Sequence, residues 1–389
     1  MLMNRRENFR KTVLFEDPEC LTVDLGGNPL SSMEGRSMEN LAEFLGYDVP
    51  TQNMEFGKSK RIDERILQYF DIDTRSVGKI LRPLNSSYRR VSDVEYFDEW
   101  GIKRVFTGKY WEHASTPLKG ATLSDLDQYP FPDPNSIDEE ELDEIEKQAA
   151  DLYENTDYVI CGEHPIYGVF ELGCWLCGFE DYLTKMALDT DFIKKFSEII
   201  LNYQMIVIEK YYKRIGKYIH YTSSGDDFAT QNGLFMSPQM FKDLIKPYLA
   251  QRINHTKKYT DAYFLHHSCG SVYPIIQDLI DCGVEILNPI QTKARDMDAE
   301  RLSTSFGGKI VFHGGIDTQE ILPFGTKEQI QGEAVRVVNT LWRNGGYIAA
   351  TTHNIQEDVP PENIVTLFET LKSIKNIQNK IKKNGYNER

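Results

Sequence analysis

The sequence predicts an α/β protein built as a (β/α)8 TIM barrel. Two observations predict this fold: short apolar runs recur along the chain, and amphipathic helical segments follow most of those in the second half. Strands that alternate with helices form a parallel sheet, and eight such units favour closure into a barrel. An open, doubly wound sheet is the alternative. The predicted strands are 21–25, 72–77, 158–162, 218–222, 263–267, 285–288, 310–313 and 347–350.

Capping signals support the helices of the second half. Ser237 and Pro238 supply an N-cap followed by proline at the first helical position. Pro247 predicts a kink in the same helix. Thr326 and Gln329 form the pattern of a capping box. The predicted helices are 237–259, 271–282, 296–305, 326–343 and 361–377.

One long excursion interrupts the alternation of strands and helices. Residues 80–135 are rich in tyrosine, arginine and proline, and a helix is predicted to start at Ser136, with Glu139 completing a capping box. We therefore expect a single barrel domain over residues 1–389 with an excursion at about 80–156. This excursion is either a decoration or a cap over one mouth of the barrel.

Composition and charge exclude several classes of protein. The chain has 389 residues, 40% hydrophobic and 26% charged, with a formal net charge of -15. A polyanion such as nucleic acid would be repelled by this field. No apolar run approaches the length of a membrane span, and no apolar stretch follows the basic N-terminus as in a signal peptide. The scattered cysteines are typical of reduced thiols or metal ligands, so we expect a cytoplasmic protein.

Polar residues follow the predicted strands, where TIM barrels carry their active sites. His267 and Cys269 are the strongest pair, because residues i and i+2 at a strand end project to the same side. Imidazole and thiolate together favour zinc. A buried thiol beside a core histidine is the alternative interpretation. His353 follows the last strand, from which it can reach the same mouth. The other polar residues at strand ends are Asp24, Asp73, Arg75, Glu163, His164, Asp226, Asp227, Asn288, Gln291, His313, Asp317 and Asn354.

Motifs in a fixed order carry a resemblance to a known family. From about residue 223 onward the chain resembles the uroporphyrinogen decarboxylase-like superfamily, and within it the corrinoid-dependent, zinc-containing methyltransferase branch. Asp24-Leu25-Gly26-Gly27 near the start also fits. The matching stretches are Gly225-Asp226, Gly233, Ser237-Pro238, His267-Ser268-Cys269-Gly270, 283–289, His313-Gly314-Gly315-Ile316-Asp317 and 353–363.

The resemblance implies a barrel of the uroporphyrinogen decarboxylase type with a zinc ion on His267, Cys269 and a third ligand. That third position is a cysteine in the methyltransferase branch and His353 here. True decarboxylases grip a tetrapyrrole with an arginine-rich N-terminal segment, whereas this chain has no arginine between Asp24 and Arg36. Decarboxylation of a tetrapyrrole, metal-dependent hydrolysis and a non-catalytic role remain the alternatives.

The function expected from this resemblance is zinc-dependent transfer of a methyl group. The group would move between methylcobalamin, carried by a corrinoid-binding partner protein, and a small thiol or another acceptor. A homodimer is compatible with the resemblance. Besides the three metal ligands, the expected catalytic residues are Asp226 and Asp317. The expected substrate-binding residues are Asp24, Glu163, Asn288, Gln291 and His313.

Overall fold

The computed structural model describes residues 4–49, 61–108, 111–343 and 345–387, with side chains described as far as residue 378. The strands of the described residues are β1 (Thr22–Val23), β2 (Thr74–Val77), β3 (Arg89–Ser92), β4 (Glu95–Phe97), β5 (Lys103–Phe106), β6 (Trp111–His113), β7 (Val159–Gly162), β8 (Tyr221–Thr222), β9 (Ala229–Thr230), β10 (Gly233–Leu234), β11 (Tyr263–His267), β12 (Ile286–Asn288), β13 (Val311–His313) and β14 (Tyr347–Ala349). Eight of them run parallel in one sheet, in the order β1-β14-β13-β12-β11-β8-β7-β2.

Helices connect and surround the strands, and the order of strands and helices confirms the predicted (β/α)8 barrel. Each of the eight predicted strands is present: β11 has the predicted bounds, and the other seven are one to three residues shorter. The helices of the described residues are α1 (Arg5–Val13), α2 (Ser37–Phe44), α3 (Glu64–Tyr69), α4 (Leu123–Gln128), α5 (Glu139–Asn155), α6 (Val169–Cys177), α7 (Phe179–Leu188), α8 (Thr190–Ile215), α9 (Pro238–Leu244), α10 (Lys246–Thr256), α11 (Ile276–Cys282), α12 (Ala299–Phe306), α13 (Ile321–Phe324), α14 (Lys327–Leu341) and α15 (Pro361–Asn387).

The seam between β1 and β2 is closed by one aspartate. The backbone N–H of Asp73 donates to the carbonyl of Val23 (3.0 Å), and the N–H of Val23 donates to the Asp73 carboxylate (2.8 Å). Lys375 of α15 and Arg5 of α1 both pair with the same carboxylate, at 2.6 and 3.2 Å. Asp73, Lys375 and Arg5 therefore form an ion cluster that links α1 and α15 to the seam between β1 and β2.

Helix α1 packs against one end of the barrel and completes its interior. Phe9 and Val13 belong to a core cluster with residues from six barrel strands, two of them from β7 and one from each of the others. Such inward-facing layers make the centre of a barrel of this kind a packed core rather than a pore. The other members of the cluster are Val159, Cys161, Tyr221, Leu265, Ile286, Val311 and Ile348.

The predicted helix bounds were inexact. The segments 296–305, 326–343 and 361–377 are helical over Ala299–Phe306, Lys327–Leu341 and Pro361–Asn387, and three other helices begin or divide differently from the prediction. The helix expected at Ser136 begins at Glu139, because the Asp138 side chain accepts from the N–H of Glu140 and caps it, while Ser136 ends a short 3-10 turn. The helix expected over 237–259 is two helices, since proline cannot supply an interior N–H and Pro247 sits in the first turn of the second. The segment 271–282 becomes α-helical only at Ile276, after a 3-10 turn.

The excursion leaves the barrel at the carboxyl end of β2, on the side of the mouth. Strands β3 to β6 form an antiparallel sheet of their own. The excursion packs on the helices that follow β7: the N–H of Leu118 donates to the Leu176 carbonyl (2.8 Å), and the rings of Trp100 and Tyr203 lie 4.8 Å apart. Its interior holds a buried ion pair between Arg104 and Asp98 (2.8 Å).

Within the described residues, none of the helices combines the length and the hydropathy that crossing a bilayer would require.

Candidate metal centre

Three side chains from two strand ends meet at the mouth of the barrel. His267 is the last residue of β11, Cys269 follows two residues later, and His353 lies in the loop after β14. The Sγ of Cys269 lies 3.3 Å from Nε2 of His267. One potential ligand atom from each of the three residues lies within 4.8 Å of the other two. Nitrogen and sulfur ligands of a tetrahedral zinc ion lie about 3.5 Å apart, so the three residues fit one such ion.

The imidazole of His353 lies in surroundings that keep it neutral. Burial, together with the neighbouring His267, lowers its pKa to about 4. The two imidazole rings lie 5.7 Å apart, centroid to centroid, at a steep angle of 72°. A neutral imidazole has a lone pair to give to a metal, which a protonated one lacks.

The thiol of Cys269 lies in an environment that disfavours an uncompensated thiolate. Burial raises its pKa well above the usual value, and the carboxyl groups of Asp227 and Glu171 raise it further. The ligand form of cysteine is the thiolate, so a cation at this point would supply the compensating charge. The residues present therefore fit a divalent metal in charge as well as in geometry.

Asp227 and Glu171 border the three candidate ligands. Asp227 was among the polar residues at strand ends but had no predicted role, and Glu171 was not predicted. The Asp227 carboxylate accepts from the backbone N–H of Cys269 (2.7 Å) and lies 3.6 Å from Nε2 of His267. Its side chain remains 34% exposed, so it faces the open side of the centre. Burial raises the pKa of Glu171 well above its usual value, and Asp227 and Asp226 raise it further. Asp227 directly follows Asp226 in the sequence, which was the one signal available.

Three of the predicted substrate-binding residues lie behind the ligands, in a continuous line. His267 Nδ1 lies 2.6 Å from Oδ1 of Asn288, and Nδ2 of Asn288 lies 2.6 Å from Nδ1 of His313. Nε2 of His313 lies 2.8 Å from the carboxylate of Asp24. We call Asp24, His313, Asn288 and His267 the hydrogen-bond relay. Asp24, Asn288 and His313 are buried.

Gln291 and Glu163, also predicted to bind substrate, lie in different settings. Gln291 accepts from the backbone N–H of Gly270 (2.7 Å), so it holds the loop that carries Cys269. Glu163 is buried at the end of β7, with Arg61 at 3.9 Å. Direct contact of either residue with a substrate stays a prediction.

The two aspartates predicted to be catalytic each hold a helix. Asp226 accepts from the backbone N–H groups of Phe170 and Glu171, at 3.0 and 2.7 Å, at the start of α6. Asp317 accepts from three successive N–H groups, those of residues 319–321, ahead of α13. The catalytic roles stay predictions, while the helix-capping contacts are features of the fold.

The sequence profile of the uroporphyrinogen decarboxylase (URO-D) family matches residues 121–374. The chain belongs to the uroporphyrinogen decarboxylase family. This confirms the superfamily that the strand-end motifs predicted.

Curated relatives of this family member match it over part of their length. A uroporphyrinogen decarboxylase of Legionella pneumophila (strain Lens) is 28% identical over 149 residues, which span 38% of this chain and 40% of that protein. The uroporphyrinogen decarboxylase of Hordeum vulgare is 26% identical over 180 residues, spanning 43% of this chain and 50% of that protein. The chain thus aligns with half or less of these relatives.

A solved structure shares the fold over nearly the whole chain. A methyltransferase from Methanosarcina mazei superposes with a TM-score of 0.63 at 17% identity, covering 95% of this chain and 99% of that one. The family member therefore has the architecture of this methyltransferase as well as the family's sequence motifs.

Proposed function

We propose that this protein is a zinc-dependent methyltransferase that moves a methyl group between a corrinoid-binding partner protein and a small thiol or another acceptor. The observation that carries the proposal is the convergence of His267, Cys269 and His353 on one point at the barrel mouth. Three protein ligands and one open position characterise catalytic zinc sites, whereas structural sites use four protein ligands.

His267, Cys269 and His353 would hold the zinc ion, with their lone pairs turned to the mouth. The ion would supply Lewis acidity that lowers the pKa of an acceptor thiol bound in the open position. Asp227 is partly exposed beside the ligands, so its carboxylate is placed to take up the proton that the thiol releases.

The reaction balances as a direct displacement. The acceptor R–SH loses its proton, and its sulfur forms a bond to the methyl carbon of the methylated corrinoid. The cobalt–carbon bond breaks with both electrons remaining on cobalt, so methyl-Co(III) and RS⁻ give RS–CH₃ and Co(I). Transfer in the opposite direction, from a methylated substrate to the corrinoid, would use the same groups.

The test uses the purified full-length chain loaded with zinc. Methylcobalamin and 2-mercaptoethanol serve as probes, and the loss of methylcobalamin absorbance is measured together with the methyl thioether formed. We expect zinc-dependent turnover that Cys269→Ala abolishes, with bound zinc falling from about one ion per chain to near zero. Cys282→Ala is the matched control, because Cys282 is a buried cysteine of α11 that belongs to the hydrophobic core. Zinc binding without methyl transfer to any thiol, amine or folate acceptor would contradict the proposal.

Decarboxylation of a tetrapyrrole is the second candidate, favoured by the curated relatives. A substrate with several carboxylates needs cationic clamps. In the segment after Asp24, however, the buried side chains of Asn28 and Ser31 face the Asp24 carboxylate. The first arginine of that segment, Arg36, is exposed at the start of α2. We therefore expect no release of carbon dioxide from uroporphyrinogen, measured by chromatography of the oxidised porphyrins.

Metal-dependent hydrolysis is distinguished by its reactants. The carboxylate of Asp227 beside the ligands would suit a base for a water molecule. A hydrolase, however, needs no corrinoid. Hydrolysis of ester or amide probes by the zinc-loaded protein, with methylcobalamin left intact, would favour this candidate instead.

A further inference from the structure

The hydrogen-bond relay connects buried polar side chains from Asp24 to the proposed metal ligand His267. Its three links measure 2.8, 2.6 and 2.6 Å, which are short hydrogen bonds between side chains from four separate segments. Nothing in the proposed reaction requires these residues to touch substrate. The relay can therefore act on the metal centre only through His267, at its end.

We infer that Asp24 is a positioning residue of the metal centre, because through His313 and Asn288 it fixes His267 in the tautomer whose Nε2 lone pair faces Cys269 and His353. The inference rests on the proposed metal centre but not on the proposed reaction. A ligating histidine usually donates its other N–H to an outer acceptor, which fixes both the tautomer and the ring orientation. In this protein that acceptor is an amide, and the charge lies two links farther back.

The direction of the relay follows from the donors available at each link. An ionised Asp24 only accepts, so His313 must donate from Nε2. A His313 ring with a single proton, on Nε2, then accepts at Nδ1, which requires Asn288 to turn its NH₂ group toward it. The amide oxygen of Asn288 consequently faces His267 and accepts from Nδ1–H. Nε2 of His267 is left with its lone pair, 3.3 Å from Sγ of Cys269.

The opposite direction of these hydrogen bonds would leave His267 unable to bind a metal through Nε2. If Asn288 turned its oxygen to His313, that ring would donate from both nitrogens and would be a cation. The Asn288 NH₂ group would then face His267 Nδ1, which would have to accept, so the proton of a neutral His267 would move to Nε2. A metal could not bind there. When His313 carries a single proton, asparagine and histidine alone do not choose between the two directions, and the Asp24 carboxylate, which can only accept, places that proton on Nε2 and so sets the direction.

The surroundings of Asp24 keep it ionised and tied to this one histidine. Burial would raise its pKa, but the hydrogen bond and the charge interaction with His313, together with hydrogen bonds from Ser31 and Thr74, outweigh burial and bring the pKa below its usual value. The N–H of Gly27 also donates to it, at 2.9 Å. Within the described part of the chain, Asp24 forms no ion pair with lysine or arginine. Its charge therefore acts on the donors that point at it, of which only His313 leads to the metal centre.

The test measures zinc affinity by competition with a chromophoric chelator. Asp24→Asn keeps an acceptor oxygen at this position but removes the charge, and we expect zinc to bind about 10–100-fold more weakly. The double variant D24N/N288D places a carboxylate directly against His267 Nδ1–H, while His313 reverses to donate from Nδ1 and accept from the new amide. We expect this variant to bind within about threefold of the wild type.

A matched control separates this effect from general damage. Asp73→Asn makes the same substitution at a second buried carboxylate of the β1–β2 seam, which has no contact with the relay. We expect it to lower the free energy of unfolding and leave the zinc affinity unchanged. An equal loss of zinc affinity in Asp73→Asn, or no rescue in D24N/N288D, would overturn the inference.

A measurement on the wild type removes any dependence on how the variants fold. Nitrogen-15 NMR of labelled histidines in the zinc-free protein reports which ring nitrogen carries the proton. We expect His267 as the Nδ1–H tautomer and His313 as the Nε2–H tautomer. His267 protonated at Nε2 would overturn the relay. If the wild type bound no zinc at all, the proposed metal centre would fail, whereas tight zinc binding that is unchanged in Asp24→Asn would refute the relay alone.

Discussion

Two buried aspartates lie on the same seam of the barrel and have opposite environments. Asp73 precedes β2 and is met by two cations, Lys375 at 2.6 Å and Arg5 at 3.2 Å. Asp24 follows β1 and is met by hydroxyls, one backbone N–H and the imidazole of His313. Both side chains are almost fully buried, at 4% and 1% exposure respectively.

The two environments suit different roles: the cations around Asp73 suit a role in stability, and the hydrogen-bond partners of Asp24 suit a role in the metal centre. A buried carboxylate between two cations is compensated locally and connects the segments that carry those cations, here α1 and α15. A buried carboxylate with neutral donors keeps its field for the groups that point at it. In this protein one of those groups leads to a metal ligand. We therefore expect a change at the cations of Asp73 to alter stability and a change at Asp24 to alter the affinity for zinc.

The largest expected effect is a loss of stability when the ion cluster around Asp73 loses a cation. Lys375→Met leaves Asp73 with less compensation, and we expect the free energy of unfolding to fall by about 3 kcal/mol. Urea denaturation of the zinc-free protein measures this. The zinc affinity of the folded variant should equal that of the wild type. A variant of normal stability with weakened zinc binding would contradict the division between the two aspartates.

A third buried carboxylate, Glu99 of the excursion, is expected to make the stability of the protein depend on pH. Burial, together with the neighbouring Asp98, raises the pKa of Glu99 to about 7. Its protonated form is therefore favoured in the folded state, and that stabilisation is present below the unfolded pKa and lost as the pH rises toward 7. Glu99→Gln should match the wild type near pH 4 and be more stable by about 2 kcal/mol at pH 8. Urea denaturation at both pH values checks this. A difference in stability that did not change with pH would contradict the assignment.

The smallest effect is expected at Asp226. Asp226→Asn keeps an oxygen that can accept one of the two N–H groups at the start of α6, so we expect a loss of stability of about 1 kcal/mol or less. Methyl transfer, measured by the loss of methylcobalamin absorbance, should remain within about threefold of the wild type. Complete loss of turnover in a folded, zinc-loaded variant would instead support the catalytic role predicted from the sequence.

The sequence predicted what short-range patterns encode. The eight strands follow from apolar runs, and the pair His267 and Cys269 follows from its spacing at a strand end. His353 could be placed because the last strand of a closed barrel adjoins the first. Helix bounds were less predictable, since Asp138 and Ser136 both carry capping side chains and only the packed structure decides between them.

Long-range contacts and loop geometry set the limit of the prediction. Asp24 and His313 are separated by 289 positions in the chain, and no local pattern indicates that they touch. Strand alternation no longer applies in the loop after β8, so the sequence did not reveal that Asp226 would cap α6 while Asp227 would border the ligands. Polar residues at strand ends are therefore good candidates for a site, but their individual roles depend on which hydrogen bonds they have already formed.

The most direct test of the central claim is the ligand set of the bound metal. X-ray absorption at the zinc edge of the purified protein reports the number of sulfur and of nitrogen or oxygen neighbours. We expect one sulfur at about 2.3 Å with lighter atoms at about 2.0 Å. The sulfur should disappear in Cys269→Ala, and the imidazole scattering should weaken in His353→Ala. A zinc ion with two sulfur neighbours, or one whose spectrum does not change in either variant, would contradict the three-residue centre.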